Sequence, residues 1–425
     1  MASKVEMGVA HTNAGAATGE FGRGWQLLLA AMMGTSLSAT LPYALGVFIS
    51  PIGKDYGWDA EVIIAGLTLS TVLSGLGALF CGRLIARFGA RRLAVTGILI
   101  LTSATVALGL IPRSLPAYFA CYAVVALAHM LLSPIVWQKI VVERFVKARG
   151  LAMSIVLCGP NIAGSIAPLL STVVIQRADW HTAYLVLALY MLVATLPLTL
   201  LYFRELPIRA TSLGTAAEGG EPGRTSPTLK LADVTKVREF WLLTASFALA
   251  GIGLGGYTVH FVPLLLSKGL PLLLAASMMS ALSIAAICGR ILAGVAIDRL
   301  FAPRIAAIAL TLPVLSSVLL LFLAPAAWAI LAAAVLLGLS SGAEYNMLGY
   351  LTARYFGLRN FGTVGSILFC GFTLGCVVGQ LFPGVMLRTG TYDNVAVFFG
   401  ATFLTAAVLM LFCRAYPQLA AEDAG

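Results

Sequence analysis

Apolar residues run along this chain in blocks of about twenty, parted by short stretches that gather most of the charges. The blocks show neither the alternation of a half-buried strand nor the one-sided stripe of a soluble helix, because they are apolar all round. A helix that crosses a hydrocarbon core of about 30 Å needs about 20 predominantly apolar residues. Twelve blocks approach or exceed that length: 24–50, 60–82, 92–111, 115–138, 149–175, 181–203, 239–266, 271–297, 304–323, 326–354, 360–386 and 394–413. The pattern predicts an all-α membrane protein with twelve transmembrane helices. Most blocks contain Gly or Pro, which membrane helices tolerate where neighbours cover the freed backbone groups.

Composition agrees and narrows the function. Of 425 residues, 60% are hydrophobic and only 10% charged, against about 25% charged in an ordinary soluble domain. That excludes a water-soluble enzyme, a disordered chain and a free nucleic-acid binder. The net charge of +10 records topology instead. Twelve spans put both termini on one side, and 21 of the 27 basic residues fall on that side, with five on the other. The positive-inside rule makes that side cytoplasmic, as expected for a multi-pass protein of a bacterial inner membrane. The remaining basic residue, Arg290, falls within a span.

The first twenty residues are small and polar, with no apolar signal-peptide core. Seven cysteines lie in or at the ends of spans without a CxxC pair or a His/Cys cluster, so neither a disulfide framework nor a metal site is indicated. No HExxH, nucleophile elbow or P-loop is present, so no enzyme chemistry, ATP-driven pump or cofactor is implied.

One long interior connection, 204–238, is rich in Gly, Ser, Thr and Pro and reads as a linker. The expected organisation is a tail at 1–23, a six-helix bundle at 24–203, the linker at 204–238, a second bundle at 239–414 and a tail at 415–425. A weak internal repeat supports the split. Gly82-Arg83-Leu-Ile-Ala86-Arg87-Phe-Gly89-Ala-Arg91-Arg92 follows the second span, and Gly294-Val-Ala-Ile-Asp298-Arg299-Leu-Phe-Ala-Pro-Arg304 follows the eighth.

These stretches resemble the inter-helix signature of the major facilitator superfamily, G-x-x-x-D-R-x-G-R-R, in both expected places. The resemblance covers the whole chain and implies two pseudo-symmetric six-helix bundles that form a secondary transporter. In this signature Gly lets two helices close up, while acid and Arg pair at a helix end. Arg83, Arg87, Arg91, Asp298 and Arg299 are thereby gating candidates. The first copy has Ala86 where the acid is expected, which weakens its latch.

Several shorter stretches resemble the monocarboxylate transporter branch and its bacterial relatives, including oxalate/formate exchangers. They are Pro42-Tyr43-Ala-Leu-Gly46, Arg144-Phe145-Val-Lys147-Ala-Arg149-Gly150-Leu151-Ala152, Cys288-Gly289-Arg290 and Gly342-Ala-Glu344-Tyr345. The branch implies a small carboxylate substrate held by the arginine of the eighth span, here Arg290, in a protein that works as a monomer. Residue chemistry supports this independently. An Arg in hydrocarbon costs about 2.5–3.5 kcal/mol on insertion scales, so it should face a cavity or a partner. Its planar fork of donors suits a carboxylate. The competing reading is an ion pair that only locks helices together.

Glu344, the one acid deep inside a span, is the expected partner of Arg290 in the empty site and a proton-coupling candidate. A structural Glu bonded to backbone is the alternative. The branch's coupling lysine is replaced by Tyr43, and its acid before the arginine by Ala286, so coupling through those positions does not carry over. Tyr43, His129, Asn161, Tyr345 and His260 are further substrate-binding candidates, with His260 also suited to a gate. A lone membrane His or Asn equally serves to bond a neighbouring helix.

The function expected is secondary transport of a small organic monocarboxylate across the membrane, in either direction, coupled to protons or to a counter-anion. The alternative is a proton-driven efflux antiporter for an amphipathic drug-like compound. Gly159-Pro160-Asn161-Ile-Ala163-Gly164 resembles part of the superfamily's antiporter motif, G-P-x-x-G-G, with Ala163 replacing a glycine.

Overall fold

Twelve helices among the described residues are long and apolar enough to cross a bilayer. They are Gly24–Tyr56, Ala60–Gly77, Ala90–Gly109, Leu115–Arg144, Leu151–Arg177 and Trp180–Tyr202, then Arg238–Ser267, Leu272–Ile297, Ala302–Phe322, Ala327–Phe356, Val364–Leu387 and Tyr392–Leu411. They are called spans 1 to 12 below. The structure, a computed structural model, describes residues 2–145, 149–204, 234–323 and 326–414. Side chains at 2–20, 23, 78–79, 149–150, 298–299, 345 and 357–363 are left aside. Nearly all of the expected 204–238 linker and the whole 415–425 tail lie outside the described residues.

The hydropathy pattern placed every span. The two differences worth noting are at spans 1 and 4, which run on for several residues past their expected ends. In both, a polar stretch that hydropathy excludes, such as Ser50-Pro51-Ile-Gly53-Lys54 after span 1, continues the helix.

Contacts divide the chain into two compact units. One joins Met1–Ala44 to Leu69–Pro207, and the other joins Leu45–Thr68 to Ile208–Gly425. The connected ends of spans 1 and 2 therefore pack with spans 7 to 12. The first unit buries Tyr118, Tyr122, Trp137, Tyr184 and Phe203, and the second buries Phe247, Tyr257, Phe261, Phe399 and Phe403. Large apolar side chains also point outward in both, Leu189 and Val193 in span 6 and Ile291 and Leu292 in span 8 among them. In water such an apolar exterior would aggregate, and in lipid it is the solvated face.

Prolines decide where the helices break. Span 4 consists of Leu115–Leu131 and Pro134–Arg144. Span 5 is interrupted between Val156 and Gly159. Pro160 has no N–H to give to the Val156 carbonyl four residues back. Thr35 of span 1 donates its hydroxyl to that carbonyl instead, at 2.7 Å. Gly159 makes the approach possible, since a Cβ there would overlap the Met32 carbonyl and the Thr35 hydroxyl. The Gly159-Pro160 pair is thus a socket for the middle of span 1.

Turns follow local chemistry. Asp179 caps span 6 by accepting from the Thr182 N–H at 2.6 Å, a bond that holds its carboxyl below the usual range. Gly89, between spans 2 and 3, sits at φ 82°, a conformation that L side chains rarely adopt. Its counterpart in the second copy of the repeat is Phe301, at φ −66°. The two copies therefore turn differently.

In the second unit, small residues bring pairs of helices into backbone contact. Gly375 and Gly379 of span 11 meet the carbonyls of Ala248 and Ile252 in span 7. Gly338 and Gly342 of span 10 meet those of Leu282 and Ala286 in span 8. Spacing by four residues keeps each pair on one face, the arrangement by which membrane helices pack closely without a hydrophobic driving force.

Candidate functional site

Three of the binding candidates stand in the first unit. Tyr43 is half-buried in span 1. His129, near the end of the first half of span 4, has its Nδ1 3.4 Å from the Ser70 hydroxyl of span 2, while its Nε2 is buried without a hydrogen-bond partner. Asn161 lies in the first turn after the break in span 5 and is 4% exposed. Its side-chain Nδ2 likewise has no hydrogen-bond partner. Buried polar atoms of this kind cost free energy when they stay without a hydrogen-bond partner.

Arg290 stands in span 8 of the second unit and is 6% exposed. Its main chain is held on two sides by span 10. Asn346 donates its side-chain amide to the Arg290 carbonyl at 3.0 Å. A Cβ added to Gly342 would come within 2.8 Å of the Arg290 nitrogen. Residues 338, 342 and 346 recur every four positions and form one edge of span 10. That edge clamps span 8 where the guanidinium leaves it.

Glu344 is 3% exposed, and the structure does not pair it with Arg290. Its Oε1 accepts from the Ser340 hydroxyl one turn earlier at 3.2 Å, and its Oε2 has no hydrogen-bond partner. Ion pairs among the described residues include Lys268–Asp393 and Arg388–Glu61. Helix rotation explains the difference. Gly342 faces span 8, and two residues further on, at 100° each, Glu344 points the other way. Equal depth in the membrane does not ensure that two side chains share a face.

His260 of span 7 is 1% exposed and donates its Nε2 proton to the Gln380 carbonyl of span 11 at 2.9 Å. Its Nδ1 is buried without a hydrogen-bond partner. The side chains of Tyr345, Asp298 and Arg299 lie outside the described residues. Among the other gating candidates, Arg83 and Arg87 are exposed at the end of the helix that carries span 2. Arg87 has its guanidinium carbon 5.3 Å from the Phe88 ring centre. Arg91 donates to the Leu200 carbonyl at 2.7 Å, in the last turn of span 6, where a cation suits the helix end.

One expectation is corrected here. Gly82 and Gly294, the leading glycines of the repeated signature, do not let helices close up in this structure, because a Cβ at either would meet nothing within 4 Å. In spans 8 and 10 the close approaches fall instead at Gly289, Gly338 and Gly342.

Hydropathy and motif reading did not find Ser340, Asn346, Thr35 or Gln380. Each is an unremarkable polar residue whose importance comes from a partner far away in sequence or from helix rotation. The four-residue spacing of Gly338, Gly342 and Asn346 was the one available signal.

Comparison with known proteins bears on the same chain. The sequence profile described as Major Facilitator Superfamily matches residues 27–343. No curated relative matches the sequence. Solved structures with a similar fold include a bacterial homologue of the human lysosomal transporter Spinster, in an inward-facing and occupied conformation. It has 17% identity and a TM-score of 0.65, with 93% of this chain and 96% of that one covered. The nucleoside transporter NupG has 14% identity and a TM-score of 0.71, with 91% of this chain and 98% of that one covered.

Proposed function

The chain belongs to the Major Facilitator Superfamily, and from that premise we propose that this membrane transporter carries a small organic monocarboxylate by alternating access. The observation that carries the reading is Arg290, a permanent charge buried in a span whose backbone is clamped by Gly342 and Asn346. A charge so expensive to insert is kept where it has something to bind. A guanidinium fixed at its root presents two parallel donors to a planar carboxylate. The charge pattern supports a bacterial inner membrane with both termini cytoplasmic.

Proteoliposomes test this directly. Radiolabelled monocarboxylates are expected to accumulate under an imposed pH gradient or by exchange, while their methyl esters, which lack the charge, do not compete. If no carboxylate moves and whole cells extrude a cationic dye, the efflux reading replaces it. That second reading is favoured by the interruption of span 5 at Gly159-Pro160, where the stretch resembling the antiporter motif falls.

We assign proton coupling to Glu344. The support is a carboxyl group 3% exposed, with one oxygen bonded by Ser340 and the other without a hydrogen-bond partner. Glu344→Gln, which keeps the Ser340 bond and removes the titration, is expected to leave substrate exchange running while abolishing its acceleration by a pH gradient. A variant that retains the parent rate and pH response removes Glu344 from the coupling.

A further inference from the structure

The charged gating candidates read from the sequence, Arg83, Arg87, Arg91, Asp298 and Arg299, lie at the ends of spans nearest the chain termini. The second compact unit holds a different set of contacts at the opposite ends. There the stretch Leu45–Thr68 packs with spans 7 and 11 inside that unit. Arg388, just past span 11, clamps the Glu61 carboxylate with both arms, Nε to Oε1 at 3.0 Å and Nη2 to Oε2 at 2.6 Å. Two arms fix direction as well as distance, as a Lys in that place would not.

Below this pair lies a second row. The Thr68 hydroxyl donates to Gln380 Oε1 at 3.1 Å, and the Gln380 carbonyl receives the Nε2 proton of His260. Residues 380, 384 and 388 lie four apart on one face of span 11, and 61 and 68 lie seven apart on one face of span 2. With the spans antiparallel, 61 meets 388 and 68 meets 380 in register. Gly384 lies between the rows, where a side chain would run into Glu61 Cγ. Span 1 joins the closure, because Gly46 lies against the Val259 carbonyl and Pro263 of span 7.

We propose that Glu61–Arg388 and Thr68–Gln380 form a two-row latch that holds the far ends of spans 1 and 2 against spans 7 and 11 and releases when the carrier opens that face. The upper row is charged and partly solvated, so it breaks and re-forms readily. The lower row is buried and supplies register. His260 ties span 7 to the main chain of the same Gln380, so spans 7 and 11 move away from span 2 as one. The latch stands whatever the substrate is.

Thiol labelling tests it on the purified full chain. Ile64, 2% exposed, lies between the two latch residues of span 2, and Ile64→Cys reports opening above the background of the native cysteines. Maleimide labelling of that position is expected to be slow with the latch intact and roughly fivefold faster with Glu61→Gln or Arg388→Gln, the scale of one exposed bidentate pair. Thr68→Val should accelerate labelling as well. The exchange Glu61→Arg with Arg388→Glu restores an ion pair and should return the slow rate. It also separates lost pairing from misfolding, since it alters both positions. A rate unmoved by the single substitutions, or an exchanged pair that labels as fast as either single variant, overturns the latch.

Discussion

A protein carrying Gly342→Ala is expected to lose roughly 1–3 kcal/mol of stability and most of its transport, although the change adds one methyl group. On propensity alone the substitution should help, because Ala is better than Gly in a helix by about 1 kcal/mol. Space decides otherwise. The new Cβ would overlap the Ala286 carbonyl oxygen and lie 2.8 Å from the Arg290 nitrogen. Both are main-chain atoms of a packed helix, and no rotamer change moves them aside. Span 8 must therefore retreat, and it carries Arg290 with it. Gly349→Ala is the matched control. It lies seven residues on in the same helix, where an added Cβ meets nothing within 4 Å, so its thermal midpoint should hold or rise. Thermal unfolding in detergent beside uptake in proteoliposomes checks both variants. Equal midpoints for the two would mean that spans 8 and 10 have slack where the structure shows contact.

That seam illustrates what could be read from the chain alone. Span number and position depend on local hydropathy, and a block of about twenty apolar residues has few alternatives in a bilayer. Gly89 in the repeated signature was equally local, because a tight turn at φ 82° selects glycine by itself. The partners were harder to read. Glu344 and Arg290 share a depth, yet rotation about span 10 turns the acid away to Ser340. Neither residue type nor hydropathy reports rotation in a helix that is apolar on every side. Glu61 and Arg388 are isolated charges at span ends in the sequence, and 327 residues separate them. The signature glycines erred in the opposite direction. Gly82 and Gly294 match a familiar pattern, but the structure leaves them open and places close packing at Gly338, which belongs to no motif noted in the sequence, and at Gly342, which was noted only as the start of the Gly342-Ala-Glu344-Tyr345 stretch.

Arg290→Lys is expected to fold like the parent and to bind its carboxylate substrate about 10- to 100-fold less tightly, read as a rise in the KM of uptake. Arg290→Gln should abolish saturable uptake. Span 10 holds Arg290 through main-chain atoms. Asn346 bonds its carbonyl, and Gly342 packs against its nitrogen. Both contacts belong to the main chain, and any side chain at this position keeps them. Removing the guanidinium therefore leaves the clamp of span 10 on span 8 in place and deletes the group proposed to meet the substrate. Lysine restores the charge but not the planar pair of donors, so a carboxylate held by two bonds would keep one. A helix-locking role makes the opposite forecast. If the guanidinium served only to pair with a neighbouring group, Arg290→Gln would strand that partner and cost about 3–5 kcal/mol, and the thermal midpoint would fall with the transport rate. Binding and locking thus separate on two axes. A high KM at an unchanged midpoint marks a substrate contact, whereas a lowered midpoint at an unchanged KM marks a structural bond and removes Arg290 from the binding site.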